Sequence, residues 1–131
     1  MSTIMGARQA YNLLEEVVAE FGRHYVDPGT KPDSCGCDYA TSNSENELVA
    51  GCIVGQVLVK AGAELDSLDR LYGTIGFLEE EVKRLCDIEL TLGARLVLRA
   101  AQRVQDKGGE WGDALLAADD TFRILAQDGM D

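Results

Sequence analysis

The chain has two prolines, one histidine and one tryptophan in 131 residues. Pro28 and Pro32 fall in a single stretch, so helices elsewhere are free of proline breaks. Aromatics make up only 6%, which leaves Leu, Val, Ile and Ala to fill the core. That composition suits packed helices better than a sheet sandwich. Lys and Arg number 12 against 23 Asp and Glu, a formal net charge of −11. No basic run exists, and without one phosphate contacts have no electrostatic footing, so nucleic acid is not an expected partner. No apolar run is long enough to span a membrane. The opening "MSTIMGARQAYNLLEEVV" lacks the basic start and long apolar run of a signal peptide. These absences predict a cytoplasmic protein without a membrane partner, where disulfides are rare.

What is present reads as one helical domain over residues 1–131. The length is that of a single domain, and the apolar share of 46% is ordinary for a globular chain. Ala7, Ala10, Tyr11, Leu14, Val17, Val18 and Phe21 recur at three-and-four spacing and predict a helix from about Thr3 to Phe21. Residues 27 to 46 hold both prolines and many Gly, Ser, Asn and Asp, which is turn chemistry. Short extended pieces near Tyr25-Val26, Cys37-Asp38-Tyr39 and Leu48-Val49 allow a small hairpin there. From about Cys52 to Ala61 the chain is apolar almost all round, as in a central helix, with Gly62 as its C-cap and Gly55 as a point of close crossing. A short helix through Leu65, Leu68 and Tyr72 and another over Ile75–Cys86 follow. Thr91 caps a helix from Leu92 to about Lys107. The last helix carries Trp111, Ala114, Leu115, Ala118, Phe122 and Leu125 on one face. The expected fold is mainly α: a compact bundle of five or six helices with a small irregular or β-hairpin element around residues 25–50.

Two stretches stand out together. "CIVGQVLVKAG", Cys52 to Gly62, is followed by "AAQRVQDKGGEWGDALLAA", Ala100 to Ala118. The pair resembles a group of short uncharacterised proteins of actinobacteria and their phages, over roughly the second half of the chain and the segment leading into Cys52. The resemblance implies a bacterial or phage cytosolic protein and brings no activity with it. In that group a histidine often follows the glycine of the first stretch. Here the position is Gln56, so a role resting on that histidine does not carry over.

Candidate chemistry begins with thiols. Cys35, Cys37 and Cys52, with His24, are the donor types zinc prefers. The Cys-x-Cys spacing is tighter than that of usual structural sites, and no second pair completes it. The simpler reading makes Cys37 and Cys52 small buried residues and Cys35 a loop thiol, with no cofactor. A strained bridge within "CGC" is a thiol-switch alternative. An enzyme would use Cys52, at a helix start where the dipole lowers a thiol pKa, with His24 as base. Against it, His24 continues an apolar stripe and reads as a packed residue, and Cys52 leads into the most apolar helix. No paired carboxylates or phosphate-binding glycine loop appear.

The remaining candidates are surfaces. Arg95, Arg99 and Arg103 share one helix face, which reads first as a solvated face with local acidic partners; as an alternative they are the contacts for a sequestered small anionic signal molecule. Leu116 and Ile124 lie off the main stripe of the last helix. With Trp111, which at a helix start also reads most simply as a core anchor, they form an expected interaction surface for a homodimer or a protein partner. The leading expectation is thus a non-enzymatic cytosolic binding or modulator protein, acting on a host protein if phage-encoded. A zinc- or thiol-dependent small enzyme or switch is the runner-up.

Overall fold

The computed structural model describes residues 3–28 and 38–129. It is mainly helical, with six α-helices and two small two-stranded sheets among the described residues. In order these are β1 (Thr3–Met5), α1 (Ala7–Phe21), β2 (Ala40–Ser42), β3 (Leu48–Ala50), α2 (Ile53–Lys60) and α3 (Leu65–Asp69). A 3₁₀ turn (Ile75–Phe77), α4 (Glu79–Cys86), β4 (Ile88–Leu90), α5 (Leu92–Asp106) and α6 (Trp111–Gln127) complete them.

The chain is organised around α5, which packs on α6, α1, α2 and the 3₁₀ turn. Its first turn is held by Thr91, whose Oγ1 accepts the Ala94 N–H at 3.1 Å. That bond satisfies one of the free donors at a helix start. Thr91→Ala is expected to lower stability by about 1 kcal/mol, read by chemical denaturation. A change within error would mean that water replaces the cap at no cost.

The stripe of α1 is buried as its spacing predicts, with Ala7, Ala10, Leu14 and Val17 fully inaccessible. Tyr11 stacks on Phe122 of α6 at 5.4 Å, and the Arg8 guanidinium also lies over the Phe122 ring, 5.3 Å from its centroid. α2 is the central helix its sequence suggests: Ile53, Val54, Gly55, Val57 and Leu58 are all buried. β2 and β3 pair antiparallel, with Ala40 opposite Ala50. Their turn is set by Asn43, whose Oδ1 accepts the N–H groups of Glu45 and Glu47 at 2.9 Å each.

Several boundaries differ from the sequence-based expectation. The first helix begins at Ala7. Thr3–Met5 instead forms a strand parallel to Ile88–Leu90, extended by Thr3 N–H to Asp87 C=O and Thr91 N–H to Met5 C=O, 3.0 Å each. Asp87 adopts a left-handed conformation that turns the end of α4 directly into β4. The helix expected over Ile75–Cys86 divides at Leu78, where a 3₁₀ turn gives way to α4. Tyr72 lies beyond α3 and is 90% exposed. Tyr25-Val26 is not a strand, and Cys37 lies outside the described residues.

Candidate functional site

Two glutamines on the buried face of α5 organise everything around it. Gln102 and Gln105 are fully buried, and an amide there must find partners. The Gln102 Oε1 accepts the Ile75 N–H at 2.8 Å, and its Nε2 donates to the Tyr39 hydroxyl at 2.9 Å. The Tyr39 hydroxyl in turn donates to the Gly73 carbonyl at 2.5 Å. Burial pushes the Tyr39 phenol well above its ordinary pKa, with Gln102 opposing. The chain thus fastens the hairpin and the irregular 73–75 segment to α5 by one continuous network.

Gln105 does the same for α2. That helix has no side-chain cap of its own. The Gln105 Oε1 accepts the Ile53 N–H at 2.7 Å, while its Nε2 donates to Asp106 Oδ1 at 2.9 Å. The two stretches that stand out in the sequence are therefore joined: "CIVG" is capped by the second glutamine of "AAQRVQ". "GGEWG" has a similar explanation. The N–H groups of Trp111 and Gly112 donate to the carbonyls of Tyr25 and Arg23 at 2.8 and 2.7 Å, so the turn after α1 caps α6. A Cβ at Gly112 would stand 2.7 Å from the Arg23 oxygen.

Burial pushes the Asp106 carboxyl up, the Gln105 hydrogen bond opposes this, and the nearby Asp27 charge adds to it. A carboxylate with a raised folded pKa contributes stability below its unfolded pKa that is lost as pH rises through the folded value. Asp106→Asn is therefore expected to raise Tm near pH 7 and to leave it unchanged near pH 3, where the parent is already protonated. Thermal melts at both pH values check the sign. A stabilisation that persists in acid would point to packing instead.

A groove lies between α5 and α6. Its first part, about 250 Å³, is walled by Leu96, Arg99 and Arg103 on α5 and by Thr121, Ile124 and Leu125 on α6. It continues past Ala100, Arg103 and Thr121 into a second part, about 340 Å³, that reaches Lys107, Ala117 and Asp120. Leu96 stands opposite Ile124 at one end and Lys107 near Ala117 at the other, so the helices run antiparallel. From Leu96 to Lys107 the groove is about 16 Å long at 1.5 Å per residue. A larger hollow of about 660 Å³ has a lining that stops at Pro28 and resumes at Asp38, on either side of residues that are not described.

The expected site residues distribute as follows. Leu116 and Ile124 are 54% and 61% exposed, and Ile124 lines the groove. Trp111 does not belong to that surface. It is fully buried against Phe21 and Tyr25, with ring centroids at 4.9 and 4.5 Å, because the α6 start is pulled under the end of α1. The three arginines do not converge. Arg95 pairs with Glu79 at 3.5 Å, Arg99 lies over the Phe77 ring at 5.6 Å, and Arg103 lines the groove together with Arg99.

His24 is not packed: its side chain is 92% exposed and its Nδ1 meets Glu110 Oε1 at 2.8 Å. Gly22 takes a positive φ of 97° and turns the chain off the α1 stripe just before it. Cys52 is fully buried and disulfide-bonded, so in this state it offers neither a thiolate nucleophile nor a zinc ligand. Cys86 is free and buried, and burial pushes its thiol pKa up. Cys35 and Cys37 lie outside the described residues. Among the described residues no group of His, Cys, Asp and Glu is placed to hold a metal ion. No helix among them is long and apolar enough to cross a membrane.

Sequence reasoning missed Gln102 and Gln105. The signal was available: each falls four residues after an apolar residue of the buried stripe, Leu98 and Ala101 respectively. The sequence also gave no hint that Phe77 would stand out from the surface beside Arg99. No protein-family model matches this chain, nor does any curated protein or solved structure.

Proposed function

We propose that this chain is a non-enzymatic binding protein that modulates a cytosolic protein partner through the surface formed by α5 and the 3₁₀ turn beside it. The observation that carries the reading is Phe77. Its ring is 77% exposed and lies beneath the Arg99 guanidinium. Exposed Tyr72 on the same segment and exposed Leu92 on α5 add apolar surface. Aromatic residues and arginine dominate the energetics of protein interfaces, and a solvent-facing phenylalanine buries little apolar surface in the free chain. The polar clusters support the same reading. The buried amides hold segments together, and the exposed acids spread over several helices without converging. The resemblance to phage and actinobacterial proteins makes a host protein the natural partner class.

The test is a photo-crosslinking benzoylphenylalanine at Phe77 in living cells. The expected result is one discrete adduct, lost when Arg99→Glu is added, and none from the same probe at Glu16 on α1. A smear, or equal labelling from both positions, removes the reading. The thiol-dependent alternative rests on the disulfide at Cys52. About one zinc per reduced chain, lost when Cys35 and Cys37 become Ser, would replace binding with a metal-dependent role.

A further inference from the structure

We infer that the groove between α5 and α6 is closed in solution by a second copy of this chain, packed about a two-fold axis that runs along the groove. The inference rests on the binding reading above only in taking this helical surface to be an interaction surface. The groove is not uniform in charge. Its α5 wall carries Arg103 and Lys107, and its α6 wall carries Asp120 at the level of Arg103. Arg103 and Asp120 are both exposed, and neither forms an ion pair among the described residues. The far end is mainly apolar, lined by Leu96, Ala100, Ile124 and Leu125 with Thr121, and Arg99 on its α5 wall lies over the Phe77 ring.

A purely acidic helix laid in this groove would satisfy Arg103 and meet Asp120 with like charge. A basic one would do the reverse. The occupant that fits must be negative where α5 is positive and positive where α6 is negative, with apolar groups at the Leu96 end. A two-fold axis along the groove supplies that pattern at the level of Arg103 and Asp120. It keeps every residue at its own level and exchanges the two walls, so Arg103 of one copy meets Asp120 of the other, twice. At the apolar end each Leu96 meets the other copy's Ile124. Such a self-complementary face is what an isologous contact requires.

The groove is short, and each copy carries a charge of −11. Both place the pair at the weak end of specific interfaces, with a Kd on the order of 10 μM.

Sedimentation equilibrium on the parent and on three samples tests this: Arg103→Asp, Asp120→Arg, and an equimolar mixture of the two. The parent is expected to be largely dimeric at roughly 100 μM. Each variant alone should self-associate at least about tenfold more weakly, because two attractive contacts become two repulsive ones. The mixture should regain a dimer, since one copy of each restores an Arg103–Asp120 pair and creates its mirror, Arg at 120 against Asp at 103. Circular dichroism confirms that each variant keeps its helix content. A parent that stays monomeric, or a mixture no more associated than its components, overturns the pairing. In that event a Phe77 adduct to another protein would still stand, so the two readings fail separately.

Discussion

Gln102→Leu should lower the stability of the fold by about 2–3 kcal/mol, although leucine has nearly the same volume and is the commoner residue in a helix core. The buried Ile75 N–H loses its hydrogen-bond acceptor, the Gln102 Oε1 at 2.8 Å. The Tyr39 hydroxyl keeps its bond to the Gly73 carbonyl but loses the amide that donates to it. An unmet buried donor costs its full desolvation, and the gain from a more apolar side chain only partly offsets that. For a domain of this size the loss corresponds to a Tm lower by roughly 10 °C. Urea unfolding of the variant and the parent decides it. A loss under about 0.5 kcal/mol would mean that Ile75 finds water in the mutant, and that the network is incidental to the fold.

The apolar periodicity carried most of the architecture. The stripes of α1 and α6, the all-round apolar α2 and the Thr91 cap follow from local residue choice; a hairpin is expected near Leu48-Val49, but its first strand is Ala40–Ser42, within the turn-rich segment, and not Asp38-Tyr39. What was not legible depended on partners distant in the chain. β1 and β4 are three residues each and pair across the whole molecule, so neither has enough alternation to announce itself. His24 extends the spacing of α1 on paper, but the positive-φ turn at Gly22 ends the helix before it. Trp111 reads as surface or core from its spacing alone. Its burial follows from the Tyr25 and Arg23 carbonyls that draw in the start of α6. The groove is a property of two helices together: small Ala100 on one and Thr121 on the other leave space that no single periodicity describes.

Gly55→Ala is the second large effect, and here two physical terms oppose each other. Alanine inside a helix is favoured over glycine by about 1 kcal/mol, which taken alone would stabilise α2. The added Cβ, however, would collide with the carbonyl oxygen of Tyr39 and stand 2.9 Å and 3.0 Å from its carbonyl carbon and Cα. These are backbone atoms, so no side-chain rotation relieves the contact. Tyr39 is also held on three sides: its carbonyl accepts the Gly51 N–H at 3.0 Å, and its hydroxyl is tied to Gly73 and Gln102. α2 cannot retreat either, because its first N–H is fixed to Gln105 at 2.7 Å. The clash therefore wins, with an expected net loss of about 2–3 kcal/mol, the upper range for overpacking a core. The same contact predicts coupling. Once Gln102→Leu has released the Tyr39 hydroxyl, the 39–40 backbone can move aside, so the double variant should lose about 1 kcal/mol less than the sum of the two single losses. Denaturation of the two single variants and the double variant measures this directly. A Gly55→Ala protein more stable than the parent would show that helix preference prevails and that α2 and the hairpin do not cross so closely. Strict additivity would show that the clash is relieved without moving Tyr39.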